Sequence, residues 1–300
     1  MTASTSKASV VPPTDSAWIA AMPAVFVLIW STGFIVAKFG LPYSSPLWFL
    51  NLRFGGVVLA LLVAIPFVKV PWPSRSDVGH IALAGLLLQA GYLGGVWIAI
   101  SEGMPAGLAA LIVGLQPVIT ALLAPAIGER VSARQWAGFA LGFCGVVLVV
   151  LDKIALIALP VSSILLAVGA LFSITIGTLY QKRKCPSFDL RAGTIIQFSA
   201  SLLLTVPLAL LFEVWNVRFT PQFIGALTWS ILVLSIGGMA LLFPLLRRGE
   251  ATRVTSLFYL VPPVTALMAW AAFGERFSHR AMFGMACAVI GVALVVVRRR

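Results

Sequence analysis

The sequence predicts an all-α polytopic membrane protein of ten transmembrane helices, built as two inverted five-helix repeats. Three observations predict it. First, the 300 residues are 60% hydrophobic and 10% charged, with a mean hydropathy of +1.05 and apolar residues along the whole chain; a soluble domain does not have that balance. Second, the apolar residues fall into ten segments, each near the ~20 residues that cross a bilayer. Third, the stretch 103–151 returns near the C-terminus. Gly-Glu-Arg stands at 128–130 and again at 274–276. At the same offset, without a gap, Gly103 falls on Gly249, Pro117 on Pro263, Ser132 on Ser278, Arg134 on Arg280, Gly138 on Gly284 and Gly145 on Gly291. An internal repeat fixes architecture before any local reading does.

The elements follow in order. Residues 1–16 are Ser/Thr/Ala-rich with Pro12 and Pro13, and read as a disordered cytoplasmic tail. They lack the basic region of a signal peptide. The spans are expected at 17–39, 46–70, 77–101, 105–127 and 132–151, which make the first repeat, 17–151. A linker is expected at 152–158. The second, inverted repeat, 159–300, holds spans at 159–181, 190–213, 221–247, 251–273 and 279–297. The connections carry turn residues: Pro42 to Pro46, Pro71-Trp72-Pro73, the two Gly-Glu-Arg turns and Cys185-Pro186-Ser187.

Ten spans put both termini on one side. The tail Arg298-Arg299-Arg300 marks that side as cytoplasmic. It then also holds Lys7, Lys69, Arg75, Arg130, Arg134, Lys182, Arg183, Lys184, Arg191, Arg247, Arg248 and Arg253. Only Lys38, Lys153, Arg218, Arg276 and Arg280 fall outside, with Arg53 inside the second span. The bias of Lys and Arg sets orientation, so both termini are expected in the cytoplasm. The net charge of +12 is therefore topogenic, not a sign of nucleic-acid binding. Five spans per half is odd, so the second half is inserted upside down, about a pseudo-two-fold axis in the membrane plane. Two such halves can exchange conformations, which is a physical basis for alternating access.

These residues resemble a known family. Ten spans in two inverted halves, Trp30-Ser31-Thr32-Gly33-Phe34, Pro46 with Leu52-Arg53-Phe54, and a Gly-Glu-Arg turn after each fourth span are similar to EamA-type members of the drug/metabolite transporter superfamily. Within it the chain is most similar to bacterial aromatic amino acid exporters of the YddG type. The resemblance implies an inner-membrane exporter whose central cavity is lined by spans 1, 3, 4, 6, 8 and 9.

The residues support a central site independently. Glycines and prolines cluster in matched spans: Gly107, Gly114, Pro117 and Pro125 in span 4 with Pro262-Pro263 in span 9; Gly85, Gly91, Gly94 and Gly95 in span 3 with Gly237, Gly238 and Pro244 in span 8. Broken helices at corresponding positions point to a binding site, although single glycines also serve helix packing. Polar side chains at membrane depth are costly and face an interior. Gln89 and Tyr92, three apart, share a helical face; Gln116 falls on Pro262 in the repeat. Trp30 and Phe34 share a face in span 1, and Phe172, Ser173 and Tyr180 stand in span 6. With Tyr259 in span 9 these nine form the expected substrate site, where rings stack on a flat apolar ligand. Thr32, Thr175, Thr178, Gln197 and Ser256 are further polar candidates, though a hydroxyl also bonds back to its own helix.

None of the nine acids lies at mid-span, and His80 and His279 fall near span ends. Proton-driven transporters commonly use an intramembrane carboxylate. The pattern therefore suits facilitated export of neutral or zwitterionic substrates, with proton-coupled drug or metabolite export as the alternative. Lys38 and Arg53 are the bases nearest membrane depth; each either snorkels or attracts a carboxylate. A membrane enzyme needs paired acids or a nucleophile–base set, and none is visible. A channel needs a filter or charge ring, and none is visible either. No cofactor and no metal is expected, since Cys144, Cys185 and Cys287 lack ligand spacing. The expected partners are amino acids as substrates and the lipid bilayer. A monomer is compatible with the sequence, and the absence of Asn-X-Ser/Thr sequons with short loops suits a bacterial inner membrane.

Overall fold

The structure, a computed structural model, describes residues 13–123, 132–157, 159–185, 187–238, 240–241 and 260–296. Among these residues there is no strand. Six helices are long and apolar enough to cross a membrane, and four shorter apolar helices, Ala106–Thr120, Pro221–Gly237, Val261–Phe273 and His279–Leu294, stand at the other four expected spans.

Boundaries follow local chemistry. Span 1 runs from Pro13 to Gly40, so helix begins inside the segment expected to be a disordered tail; proline is pre-set for a first helical turn. The α-helix of span 2 is Pro46–Ala64, shorter than expected, because Pro66 has no N–H to continue it and the chain tightens into a 3₁₀ turn, Ile65–Phe67. Span 5 is Ala133–Ile157, so the expected linker is helical almost to its end. No breaker occurs there before Pro160. Span 6 is Val161–Lys184 and span 7 is Leu190–Phe212.

Three pairs of matched spans cross antiparallel, which is what inversion requires. In spans 5 and 10, a Cβ on Gly145 would meet the Gly284 carbonyl and the Ala288 backbone, and one on Gly291 would meet Gly138 and Gly142. As numbering rises in one helix it falls in the other. Moreover the Gly145–Gly284 contact becomes the Gly138–Gly291 contact when the halves are exchanged at an offset of 146. Spans 2 and 7 meet through Leu47 N–H to the Glu213 carboxylate, Asn51 to Thr205, and the Phe54–Phe198 ring pair at 5.3 Å. Spans 4 and 9 meet at Gly107 against Ala266 and Gly114 against Pro262. Glycine at such crossings lets backbones approach closely.

The offset is 144, not 146, in the first two spans of each half. Helix N-caps Ser45 and Asp189 match at 144, as do Phe54 and Phe198, whereas N-caps Ser74 and Thr220 match at 146. Gly33 packs on Leu234 and Gly177 on Leu88, which is one contact and its image. The stretch from the start of span 7 to the start of span 8 is thus two residues longer than its counterpart from span 2 to span 3.

The face away from the chain ends is tied together by its acids. Glu213 accepts from Leu47 and Trp48 N–H groups at 3.0–3.2 Å, capping span 2. Asp152 accepts from Ser278 at 2.7 Å, and Glu102 accepts from Ser162. Around the bundle, large apolar side chains such as Phe143 (66% exposed) and Leu203 (80%) point outward, as a lipid-facing surface does.

Candidate functional site

Breaks in the helices build the site. Span 4 is two helices, Ala106–Val113 and Gln116–Leu123, joined at Gly114-Leu115. Pro117 lacks the N–H that would bond back across the join. On the matching side, the span 9 helix starts at Val261 with Pro262 and Pro263 in its first positions. The Pro262 ring lies where a Cβ on Gly114 would stand. In span 3 the stretch Leu86–Gly91 is π-helical, and in span 8 so is Trp229–Gly237. Positions 86–91 fall inside that second stretch at the repeat offset. π-Helix is rare and sits often at functional sites. The loosened turn is held from outside: Ser173 of span 6 donates to the Leu87 carbonyl at 2.8 Å, and Ser201 of span 7 donates to the Gly85 carbonyl at 3.1 Å.

Between these breaks lies a small cavity. Trp30 and Phe34 of span 1, Tyr92 of span 3, Ala110, Val113, Gly114, Gln116 and Pro117 of span 4, Ile174 of span 6 and Val261 of span 9 line it. Gln116 donates to Thr178 Oγ1 at 3.1 Å, and Thr178 donates to the Ile174 carbonyl at 2.7 Å. The amide oxygen of Gln116 is left as an acceptor beside three aromatic rings. The lining carries no charged residue among those described. The chemistry of this lining suits a flat, largely apolar body with a few hydrogen-bonding groups.

Of the nine residues expected at the site, Trp30, Phe34, Tyr92 and Gln116 come together at this cavity. Ser173 sits beside it, on the π-helical stretch. Gln89 is not among the lining residues; a shared face with Tyr92 holds at α-helical spacing, and the wider π turn separates them. Phe172, at 44% exposure, and Ile176 occupy the outward face of span 6, away from Ile174. Tyr180 bonds His80 Nδ1 at 2.7 Å near the ends of spans 6 and 3. Tyr259 lies outside the described residues. The apolar lining residues Ala110, Val113 and Val261 carried no chemical signal in the sequence. Nor did Ile174, which only the structural offset of 144 reveals as the counterpart of Trp30.

Three charged groups stand around this centre. Lys38, at the end of span 1, pairs with Glu275 Oε1 at 2.6 Å and lies 4.7 Å from the Phe273 ring centre. The same oxygen accepts from the Ala106 N–H at 3.2 Å, at the start of span 4. Gly274, with φ of 65°, supplies the left-handed turn that brings Glu275 there. Arg53 is buried in span 2, its Nε and Nη2 each 3.2 Å from Ser235 Oγ. Beyond the membrane-spanning segments, hydrogen bonds from the Arg191 guanidinium hold the Asp189 carboxyl below the usual carboxylate range.

The EamA-like transporter family matches residues 17–151 and 161–297, one copy in each half. The chain belongs to this family. It is a multi-pass membrane transporter and not an enzyme. Among its relatives, a probable amino-acid metabolite efflux pump of Escherichia coli (strain K12) is 29% identical over 90% of this chain and 92% of its own. An uncharacterized inner membrane transporter, YedA, of the same strain is 28% identical over 91% and 89%. A probable terminal-alkyne amino-acid exporter of Streptantibioticus cattleyicolor is 26% identical over 90% of each chain. A solved crystal structure superposes on the transporter with a TM-score of 0.62 over 93% of this chain and 97% of the other, at 19% identity, and so has the same fold.

Proposed function

We propose that this transporter exports amino acids, aromatic and other neutral ones, and related small metabolites across a bacterial inner membrane. Both termini lie in the cytoplasm, and the two halves exchange roles in alternating access. The observation that carries the reading is the cavity at the helix breaks, where Trp30, Phe34 and Tyr92 surround the Gln116 amide. Rings stack on an aromatic side chain, and the free amide oxygen accepts from an ammonium group. The efflux-pump and exporter names of the relatives agree with this substrate class. Lys38, Glu275 and the Ala106 N–H would close the periplasmic mouth in the conformation seen.

The test is flux into liposomes holding the purified protein, with labelled phenylalanine, tryptophan and threonine, with and without a pH gradient. Saturable flux without a gradient, reduced about tenfold or more in Trp30→Ala or Gln116→Ala, is the expected result. Flux that never saturates would mean a channel. Flux only with a gradient would mean proton coupling. Absence of flux for every amino acid would remove this substrate class.

A further inference from the structure

Arg53 is a buried cation in a membrane-spanning helix, 6% exposed. No carboxylate among the described residues lies within ion-pair distance of it, since the ion pairs there are Lys38–Glu275 and Arg191–Asp189. Its described hydrogen-bond partner is a neutral hydroxyl, Ser235 Oγ, reached by Nε and Nη2; Nη1 has none among the described residues. A charge buried this way is costly unless something offsets it.

Packing does not account for the charge. The counterpart of Arg53 in the second half, at the offset of 144, is Gln197. It too is buried, at 5%, and it makes its cross-helix bond to Gln181 at 2.8 Å with a neutral amide. Clamping a neighbouring helix from this position therefore requires no cation.

Arg53 is not itself a lining residue of the cavity, but it stands level with one, Tyr92. Phe49 stacks on Trp97 at 4.3 Å where spans 2 and 3 cross. The spans run antiparallel, so one turn on from Phe49 stands level with one turn back from Trp97. That brings Arg53 to Tyr92, and the two are within electrostatic reach of each other. Arg53 lies about 10 Å along the helix from the start of span 2, and Tyr92 about 14 Å from the end of span 3, on the same face of the membrane. Tyr92 is 8% exposed and lines the cavity, and its hydroxyl makes no hydrogen bond to any described residue. Among the described residues the Tyr92 hydroxyl is thus a second buried polar group without a hydrogen-bond partner, and Tyr92 lines the cavity.

We infer that Arg53 and the Tyr92 hydroxyl form the subsite for the carboxylate of the transported molecule. This deepens the exporter reading and rests on it for the identity of the substrate. A guanidinium offers a fork of donors matched to a carboxylate, and a phenol adds a third. The ring of the substrate then lies against Trp30 and Phe34. The class is an aromatic or apolar carboxylate, zwitterionic amino acids included, and not a lipophilic cation.

The test uses the purified full chain and two readouts. In detergent, 3-phenylpropionate is expected to raise the melting temperature, and 3-phenylpropanamide, which differs only in the charged group, is expected to raise it much less. In liposomes, R53Q is expected to raise the KM for phenylalanine about ten- to hundredfold, the weight of a charge-assisted hydrogen bond, and to leave that for phenylalaninamide nearly unchanged. R53K and S235A keep the cation, and are expected to keep the preference. Equal stabilisation of the wild-type chain by the two phenyl compounds, or by chloride at the same concentration, would overturn the subsite, whether or not R53Q folds. So would parallel loss of both substrates in R53Q, or loss of the preference in S235A. If no amino acid crosses but phenylpropionate still stabilises the wild type and not R53Q, the exporter reading fails and the anion subsite stands. If amino acids cross and the preference is absent, the reverse holds.

Discussion

Glu275 joins three elements through one oxygen: Lys38 at the end of span 1, the start of span 4, and its own turn after span 9. Glu275→Gln keeps the shape and removes the charge. The expected outcome is a looser mouth on that face. In a chain with Cys144, Cys185 and Cys287 replaced, a cysteine at Ala110 is predicted to be labelled from that face several-fold faster in Glu275→Gln than in its parent; equal rates would show that other contacts close the mouth. At the opposite face, Asp189 caps span 7 through the Arg191 and Ala192 N–H groups. Asp189→Ala is predicted to lower stability by about 1 kcal/mol. The Arg191 bonds depress its folded titration. Its contribution is therefore present above the unfolded value of roughly 4 and lost as pH falls through the lower folded value. Melting temperature in detergent gains no pH dependence from this group between pH 5 and about pH 8, where its contribution is fully present, and Asp189→Asn removes its share of the acid-limb loss.

Helix breaks were legible unevenly. Gly114 and Pro117 opposite Pro262-Pro263 gave away the join in span 4, because each residue type has its own backbone consequence. Pro117→Ala restores an N–H at the join and is predicted to cut flux several-fold with little change in melting temperature; unchanged flux would make the break incidental. The π stretch Leu86–Gly91 was marked only by the glycines at its edges, Gly85 and Gly91, which do not specify a π turn. Its residues are ordinary helix formers with one terminal glycine, and the Ser173 hydroxyl that takes the Leu87 carbonyl comes from 86 residues further along the chain. That is a tertiary cause, and it is why Gln89 and Tyr92 do not share a face. The helical 152–157 stretch was missed for the opposite reason: Asp152 and Lys153 read as a connector, yet nothing breaks the helix before Pro160. Phe172 looked like a ring for the site, but periodicity alone does not say which face of span 6 meets the bundle. Phe172→Ala is accordingly predicted to change the KM for phenylalanine less than twofold, measured beside Trp30→Ala.

The repeat carried most of the whole architecture, since duplication fixes span count and pairing at once. What it did not carry was the two-residue slip between the halves, because the gapless match lies entirely in the fourth and fifth spans of each half. The slip assigns Trp30 to Ile174 and Arg53 to Gln197, so the site is built on a symmetric frame with unlike side chains. A symmetric frame also makes the seam of spans 5 and 10 self-complementary. Gly291→Val puts a side chain into the Gly138–Gly142 backbone. It is predicted to cost about 1–3 kcal/mol, seen as a lower melting temperature, with Gly225→Val, where a Cβ meets nothing, as the neutral comparison.

That seam also orders events at the ribosome. Span 10 is made after span 5, its partner, which enters the membrane more than a hundred residues earlier. Until span 10 arrives, Gly138 and Gly145 lack the helix that packs on them, while Gly142 already faces Leu115 and Val118 of span 4. A nascent chain stopped short of His279 therefore exposes backbone at Gly138 and Gly145 that the folded protein covers with span 10.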